Sequence, residues 1–417
     1  MTMADLDDRF ARMRQVYSAA EQVAPALARR FAEAGMRAAD ITGEAALIRL
    51  PVLKKESLLQ LQAAEPPFGG FLACSMEELG HIYVSPGPIF EPSPAADRGG
   101  HAMDSMFAAA GVGPGDLALN TWSYHLVPAG LLFDRGLRTR GVTVIPAGTG
   151  NSELQAELLI TLKPSIFLGS TAFFATLIDQ LRKTDKVLPR DWALRHAFLA
   201  GEFGDWSAKR RAIETEFGLK TWSCYGTADF GLIGYEVEGC AGYRIHEDRY
   251  VQICDPVTGE PLPVGEAGEI VVTTLTPGWP LIRFGTGDLG RAISLHPDGG
   301  VDRIAPIEGR VGAARKIREI FVYPDHLRIL ADRVEALAEA RMRVCREGHR
   351  DAIALELLPT EGVVPDLQLV AETFRTLTRL RADRLVIVNG PEGFGHSGAI
   401  AEDPPLQRTG TKASPDK

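Results

Sequence analysis

The feature that most constrains the fold is a regular alternation of short apolar runs and helix-like segments between residues 117 and 222. The apolar runs read DLALNT, VTVIPA, SIFLGS, HAFLAG and LKTWSCYG, and they are separated by segments with helical spacing, such as NSELQAELLITL and TAFFATLIDQLRK. Strands that alternate with helices form right-handed βαβ units around a parallel sheet. We therefore predict an α/β fold with a parallel sheet in this part of the chain.

The pattern changes twice further along the chain. After Gly239, strand-like runs are broken by turn signals such as TGE and DGG, which favours an antiparallel β part. Beyond residue 310 the segments follow the order strand, helix, strand, strand, helix, strand, which is typical of a ferredoxin-like unit. We predict a large domain over residues 1–310, with a helix from about Asp5 to Ala39, and a small α+β ferredoxin-like domain over residues 311–417.

Composition excludes several classes of protein. The 417 residues are 45% hydrophobic and 24% charged, which excludes a wholly disordered chain. The net charge of −9 argues against a nucleic-acid partner, since phosphate binding needs a basic surface. Five cysteines without a CxxC pair indicate a reducing compartment. An acidic N-terminal segment and the lack of a long apolar run favour a cytoplasmic protein that does not bind membranes.

Three common active-site motifs do not occur in the sequence. It contains no GxxxxGK[ST] loop, no GxSxG elbow and no HExxH pair. Any nucleotide must therefore be bound without a Walker loop, and the chemistry must lie in another set of residues.

The strongest such set is the stretch over residues 246–289, HEDRYVQICDPVTGEPLPVGEAGEIVVTTLTPGWPLIRFGTGDL. Taken singly, its glycines indicate only hairpin turns. The stretch follows AGVGPGD, GVTVIPAGTGN, AGEF and YGTADFG, and it precedes EGR, KIR and RTGTK. In this order, the set resembles the phenylacetate–coenzyme A ligase family of adenylate-forming (AMP-binding) enzymes.

The resemblance implies an acyl- or aryl-coenzyme A ligase with ATP/AMP, Mg²⁺ and coenzyme A as cofactors. A carboxylic acid, with an aromatic acid such as phenylacetate favoured, would be activated as an acyl-adenylate and passed to coenzyme A. The alternative is a catalytically weak homologue that binds AMP, acyl-adenylate or acyl-coenzyme A as a sensor or carrier. The oligomeric state is left open, with a homodimer as one alternative.

The resemblance also implies roles for single residues. The adenine side would be formed by Gly201 and Glu202, and the adenine and α-phosphate site by Tyr225, Gly226 and Thr227. A carboxylate that accepts both ribose hydroxyls matches Asp288, and the arginine beyond it matches Arg310. The catalytic set would be Lys412, Arg310 and Asp229, with Asp229 near the magnesium and Lys412 reaching into the site. Without the resemblance, Asp288 would be a turn carboxylate and Lys412 a tail residue.

The phosphate loop departs from the family pattern. Where the family has a glycine-rich loop that ends in Gly-Lys-Pro, this chain reads SPGPIFEP over residues 85–92. Pro86 and Pro88 have no N–H to donate, and Glu91 places a negative charge where a cation is usual. We expect Glu91 to face the β- and γ-phosphates, so either ATP is held differently or the loop is a rigid wall of another pocket. At the hinge between domains, Gly312 replaces a usual aspartate.

A zinc site is a further hypothesis. Many relatives carry Cys and His ligands on two loops, and the matching residues here are Cys240, His246, His296 and Asp298. All four side chains are competent zinc ligands. The alternative is that they are ordinary turn and surface residues.

The resemblance places the acyl pocket after the first core strand, at Trp122, Ser123, Tyr124, His125 and Leu126. Aromatic side chains suit a flat or apolar acid. The alternative is that Trp122 and Tyr124 fill the core.

Overall fold

The computed structural model describes residues 3–85, 88–95, 99–201, 207–311, 315–318, 320–322, 324–334, 336–347, 350–360, 362–378, 380–388 and 400–402. The chain divides into two compact units, residues 1–311 and 312–417. The division lies one residue after the predicted boundary. Within the described residues, no helix is long and apolar enough to cross a membrane.

The first unit begins with four helices and one short strand: α1 (Met3–Glu21), α2 (Pro25–Glu33), α3 (Glu44–Leu47), β1 (Leu53–Lys54) and α4 (Lys55–Ala64). The prediction of one helix over residues 5–39 is wrong, because α1 ends at Glu21 and a second helix begins at Pro25. Proline lacks the amide hydrogen of a continuing helix, and it starts α2 instead. Met13, Tyr17 and Phe31 are fully buried in the core that α1 and α2 share.

A hairpin and a helix lead into the central layer: β2 (Leu79–Ser85), β3 (Ile89–Pro94) and α5 (Gly99–Ala109). The layer itself contains β4 (Leu117–Asn120), α6 (Ala129–Thr139), β5 (Thr143–Pro146), α7 (Ser152–Thr161), β6 (Ile166–Gly169), α8 (Thr171–Leu181), β7 (His196–Leu199), α9 (Ser207–Phe217) and β8 (Lys220–Trp222). The strands pair in parallel in the order β5-β4-β6-β7-β8. The predicted parallel sheet is confirmed.

An antiparallel sheet follows: β9 (Cys224–Thr227), β10 (Gly231–Glu236), β11 (Tyr243–Ile245), β12 (Arg249–Cys254), β13 (Ala267–Thr274), β14 (Phe284–Leu295), β15 (Val301–Ile304) and β16 (Gly309–Arg310). Its main order is β12-β13-β14-β15-β11-β10-β9, and both β1 and β16 pair with β14. The sheet therefore joins residues 53–54, which pair in parallel with β14, to residues 284–310. This agrees with the predicted antiparallel part.

The second unit contains β17 (Arg315–Ile317), β18 (Ile320–Val322), α10 (Pro324–Arg333), β19 (Leu337–Glu347), β20 (Arg350–Pro359), α11 (Leu367–Thr378), β21 (Arg384–Ile387) and β22 (Ile400–Glu402). Its four-stranded sheet has the order β21-β20-β19-β22. The predicted ferredoxin-like sheet is not found in the described part of this unit. The segment expected as its first strand turns back at Arg318, whose φ is 49°, and forms the separate hairpin β17–β18.

Candidate nucleotide site

A buried carboxylate lies at the centre of the antiparallel sheet. Asp288 on β14 is 3% exposed and is paired in register with Arg310 on β16. The Arg310 Nε atom lies 3.0 Å from Asp288 Oδ1, and Tyr225 Oη on β9 donates to Asp288 Oδ2 at 2.9 Å. Three strands that are distant in sequence therefore bring together three residues that the sequence analysis singled out.

The surroundings keep the phenol of Tyr225 protonated. Burial, together with the neighbouring Asp288, raises the pKa of Tyr225 well above its ordinary value, so its phenol keeps the proton that it donates. The Arg310 guanidinium also donates to the Thr286 carbonyl at 3.1 Å. Gly287, between Thr286 and Asp288, has a φ of 73°, and a Cβ there would lie 3.0 Å from Arg310 Nη1. The TGD turn thus needs its glycine.

The neighbouring strand end carries one buried hydroxyl without a hydrogen-bond partner among the described residues. Thr227 closes β9, and its Oγ1 atom is buried with no hydrogen-bond partner among the described residues. A Cβ on Gly226 would lie 2.5 Å from the Gly231 carbonyl oxygen, so this position must be glycine for β9 and β10 to pair. Gly201 follows β7 with a φ of 93°. A buried hydroxyl without a partner is unfavourable unless a ligand or water satisfies it.

A second carboxylate cluster lies beside the turn between β9 and β10. Lys55 Nζ, at the start of α4, lies 2.6 Å from Asp229 Oδ2. Glu91 on β3 is 2% exposed and accepts a hydrogen bond from Ser85 Oγ at 2.6 Å. Burial, and then the charge of Asp229, raise the pKa of Glu91 to about 8, while Lys55 and Ser85 act in the opposite direction.

This environment corrects the expectation for Glu91. The side chain is enclosed by protein groups, with Lys55 acting on it as a nearby positive charge, and it is not an uncompensated charge that faces open space. On the same strand, Phe90 exchanges two hydrogen bonds with the Gln62 amide on α4, at 2.9 and 2.7 Å. These two hydrogen bonds hold the hairpin β2–β3 against α4.

The residues expected in the acyl pocket lie directly after β4. Trp122 stacks on Phe133 with ring centroids 5.8 Å apart, and Tyr124 Oη accepts from Asn120 and donates to Asp134. Both aromatic side chains thus take part in packing. In contrast, His125 is exposed, and so is Leu126, whose carbonyl oxygen accepts from the Val84 amide of β2 at 2.7 Å.

The predicted zinc site is wrong for the described part of the chain, where no three His, Cys, Asp or Glu side chains lie together as metal ligands. Asp298 is held by two hydrogen bonds from Arg9 on α1. The ring of His246 is buried, and its Nδ1 accepts from the Asp248 amide. Cys240 is exposed, and His296 lies near Asp302. Asp298, His246 and His296 are thus engaged with other protein groups, and the four residues do not form a ligand set.

Four residues that the sequence analysis singled out lie outside the described residues: Pro86, Glu202, Gly312 and Lys412. Conversely, Lys55 and Gln62 were not singled out from the sequence. Lys55 stands in KKESLLQLQ, where a lysine at the start of an amphipathic helix is indistinguishable from a solvated surface residue.

Comparison with known proteins places this chain in a family. No protein-family model matches the chain. The phenylacetate–coenzyme A ligase of Thermus thermophilus is 30% identical over 369 residues, which span 84% of this chain and 80% of that protein. The enzyme of the same name from Pseudomonas putida is 29% identical over 348 residues, 80% of this chain and 77% of that protein.

A solved structure extends the comparison to the fold. 2-Hydroxyisobutyryl-CoA ligase, in complex with 2-HIB-AMP and CoA, matches with a TM-score of 0.85 and 26% identity, over 97% of this chain and 91% of that chain. The match includes both the parallel and the antiparallel sheets, as the α/β prediction required. The chain therefore belongs to the phenylacetate–coenzyme A ligase family of adenylate-forming enzymes.

Proposed function

We propose that this protein is an ATP-dependent acid–coenzyme A ligase. A carboxylate oxygen of the acid attacks the α-phosphorus of ATP, pyrophosphate leaves, and an acyl-adenylate forms. The thiol of coenzyme A then attacks the acyl carbon, loses its proton, and displaces AMP. The two steps are needed because a carboxylate lacks a good leaving group, whereas AMP is one. The names of the relatives and the ligands of 2-hydroxyisobutyryl-CoA ligase support this reaction class.

The observation that carries the proposal is the buried cluster of Asp288, Tyr225 and Arg310. A carboxylate accepts hydrogen bonds only, and it can receive both hydroxyls of a ribose. Arg310 and Tyr225 fix its orientation and offset its charge before a ligand arrives. We propose that Asp288 binds the ribose and that Arg310 lies on the phosphate side, where a cation stabilises charge that develops at the α-phosphorus.

The remaining contacts follow from the strand ends. We propose that Gly201, Glu202, Tyr225 and Gly226 border the adenine and that the Thr227 hydroxyl, which has no partner among the described residues, donates to the α-phosphate. Lys412 would approach the same phosphate during adenylation. Trp122, Tyr124 and His125 would border the acid, with an aromatic acid such as phenylacetate favoured by the names of the relatives.

Mg²⁺ is the expected companion of ATP, and Asp229 is the residue that the resemblance places near it. The fit is poor, because Asp229 is buried and its Oδ2 atom already pairs with Lys55. We therefore assign no step to a metal ion at Asp229.

The proposal is tested by following both half-reactions. Purified protein with ATP, coenzyme A and phenylacetate should release pyrophosphate and AMP and form a thioester, with other small acids tested in parallel. Lys412→Ala should lose adenylation by about a hundredfold or more while it keeps thioester formation from a presynthesised acyl-adenylate, since its charge acts only at the α-phosphate. Equal loss of both half-reactions would assign Lys412 to folding or closure instead.

A sensor or carrier is the second candidate function. The observation that favours it is the hairpin β2–β3, which is fixed to α4 and carries prolines where phosphate-binding amides are usual. Tight binding of AMP or acyl-adenylate, without pyrophosphate release with any acid tested, would identify this function.

A further inference from the structure

The cluster beside the β9–β10 turn contains more acidic than basic side chains. Two carboxyl groups, Asp229 and Glu91, meet one ammonium group, Lys55. The three side chains come from the turn, from β3 and from α4, so three separate segments of the first unit converge here.

The position of Lys55 is well defined by its surroundings. Its side chain is 11% exposed, that of Asp229 is fully enclosed, and their charged atoms are 2.6 Å apart. The buried carboxylate has therefore exchanged water for a protein cation, which is the usual condition for keeping a charge inside a protein.

A divalent metal ion at the same carboxylate would need different conditions. Magnesium requires near-octahedral oxygen ligands at about 2.0–2.1 Å and keeps several waters. The Lys55 ammonium, 2.6 Å from Asp229 Oδ2, already occupies a ligand position on that oxygen, and the carboxylate is closed to the solvent that such a shell would need.

We propose that the ammonium group of Lys55 pairs with Asp229 and takes the place of a divalent metal ion at this carboxylate. Nucleotide binding in this protein therefore requires no metal ion at Asp229. The part about nucleotides rests on the proposed function, whereas the part about the metal does not. Lys55 acts through Asp229 and the turn that follows Thr227, and it is a positioning residue.

Manganese ions alone provide the direct test, followed by the electron paramagnetic resonance of free Mn²⁺ without nucleotide. Wild type should show no Mn²⁺ binding that depends on Asp229. Lys55→Met should gain Mn²⁺ binding that depends on Asp229, at least about tenfold tighter than any residual binding by wild type, because Asp229 and Glu91 then lack their cation. Lys55→Arg, which keeps the positive charge, should behave like wild type.

A matched control separates this effect from a general loss of an ion pair. Arg9 pairs with Asp298 at a distant place in the same unit, and its side chain is 12% exposed, close to the value for Lys55. Arg9→Met should lower the melting temperature without creating a Mn²⁺ site. If Lys55→Met does not fold, Mn²⁺ titrations of wild type and of Asp229→Asn still test whether Asp229 binds a metal ion.

Nucleotide binding supplies the second readout. The affinity of wild type for AMP should agree within about twofold in EDTA and in excess Mg²⁺. The proposal is overturned if wild type binds Mn²⁺ and Asp229→Asn abolishes this, or if EDTA weakens AMP binding tenfold and only in the presence of Asp229. Failure of AMP to bind at all would contradict the proposed function, and the Mn²⁺ titration would still test Lys55.

Discussion

Two buried carboxylate clusters lie in the same unit and handle their charge in different ways. Around Asp288, one carboxylate meets one guanidinium and one phenol, on strands of a single sheet. Around Asp229, two carboxyl groups share one ammonium and converge from three segments. In the first cluster, one guanidinium offsets one carboxylate. The second is balanced only when Glu91 carries a proton, so the two should respond differently to ligand, to pH and to loss of a hydroxyl group.

The largest effect should come from Asp288. Asp288→Ala removes the acceptor for the ribose and leaves Arg310 buried without its carboxylate, so AMP affinity should fall by about a hundredfold or more. Asp288→Asn, which keeps the shape, should weaken binding in the same direction. Calorimetric titration with AMP measures both variants.

The control for this prediction is Asp298→Asn, which changes another enclosed carboxylate that an arginine holds. It should leave AMP affinity unchanged. AMP affinities of the two Asp288 variants within threefold of wild type would place the ribose elsewhere.

The clusters should next be separated by pH. Burial and Asp229 raise the pKa of Glu91 from 4.5 to about 8, so the folded protein holds a proton that the unfolded chain releases. The stabilisation is fully present below pH 4.5 and is lost as the pH rises through 8. Between these limits, wild type should lose up to about 1.4 kcal/mol of unfolding free energy per pH unit relative to Glu91→Gln.

Glutamine suits this comparison because its amide can accept from Ser85 and donate to Asp229, as the protonated acid does. Urea unfolding of both proteins at several values between pH 5 and 9 provides the measurement. Parallel curves for the two proteins would show that Glu91 does not hold the extra proton.

A smaller effect is expected from the phenol of the first cluster. Tyr225→Phe removes one hydrogen bond to a charged acceptor, which is worth about 1.5–3 kcal/mol within the protein; because only part of this bears on the ligand, AMP should bind roughly tenfold more weakly. Tyr243→Phe is the matched control, since its hydroxyl is also buried but contacts Ser223. An equal loss of AMP affinity in both variants would assign the effect to the sheet and not to Asp288.

The smallest effect should come from Ser85. Ser85→Ala removes the hydroxyl that donates to Glu91 and should destabilise the protein by about 1 kcal/mol. The same hydroxyl lowers the pKa of Glu91, so its loss should move the pH dependence of stability upward. Ser223→Ala should cost stability without moving the pH dependence, and thermal unfolding across pH checks both variants. An unchanged pH dependence in Ser85→Ala would show that this hydrogen bond does not control Glu91.

Local pattern explains why so much of the fold could be predicted. The alternation of strands and helices between residues 117 and 222 carries its own period, and the predicted parallel sheet follows from it. Pro25 was a signal for the end of the first helix, because proline removes a helix hydrogen bond. The helical spacing on both sides of Pro25 nevertheless led to the prediction of one continuous helix.

Pairing between distant segments explains what could not be predicted. Lys55 and Asp229 are 174 residues apart, and no local pattern relates a lysine at a helix start to a carboxylate in a turn. The zinc hypothesis failed for the same reason, since Arg9 reaches Asp298 across 289 residues. The residue types show which ion pairs and metal sites are chemically allowed, and only the tertiary contacts determine which of them form.

The most direct test of the account follows the oxygen atoms of the acid. Carboxylate attack on the α-phosphorus transfers one carboxylate oxygen to AMP when the thiol displaces the adenylate. With phenylacetate or another accepted acid labelled with ¹⁸O in both positions, plus ATP and coenzyme A, mass spectrometry should detect AMP with one ¹⁸O atom, and Asp288→Ala should largely lose this signal. Thioester formation with unlabelled AMP, or with ADP as the product, would contradict the proposed reaction.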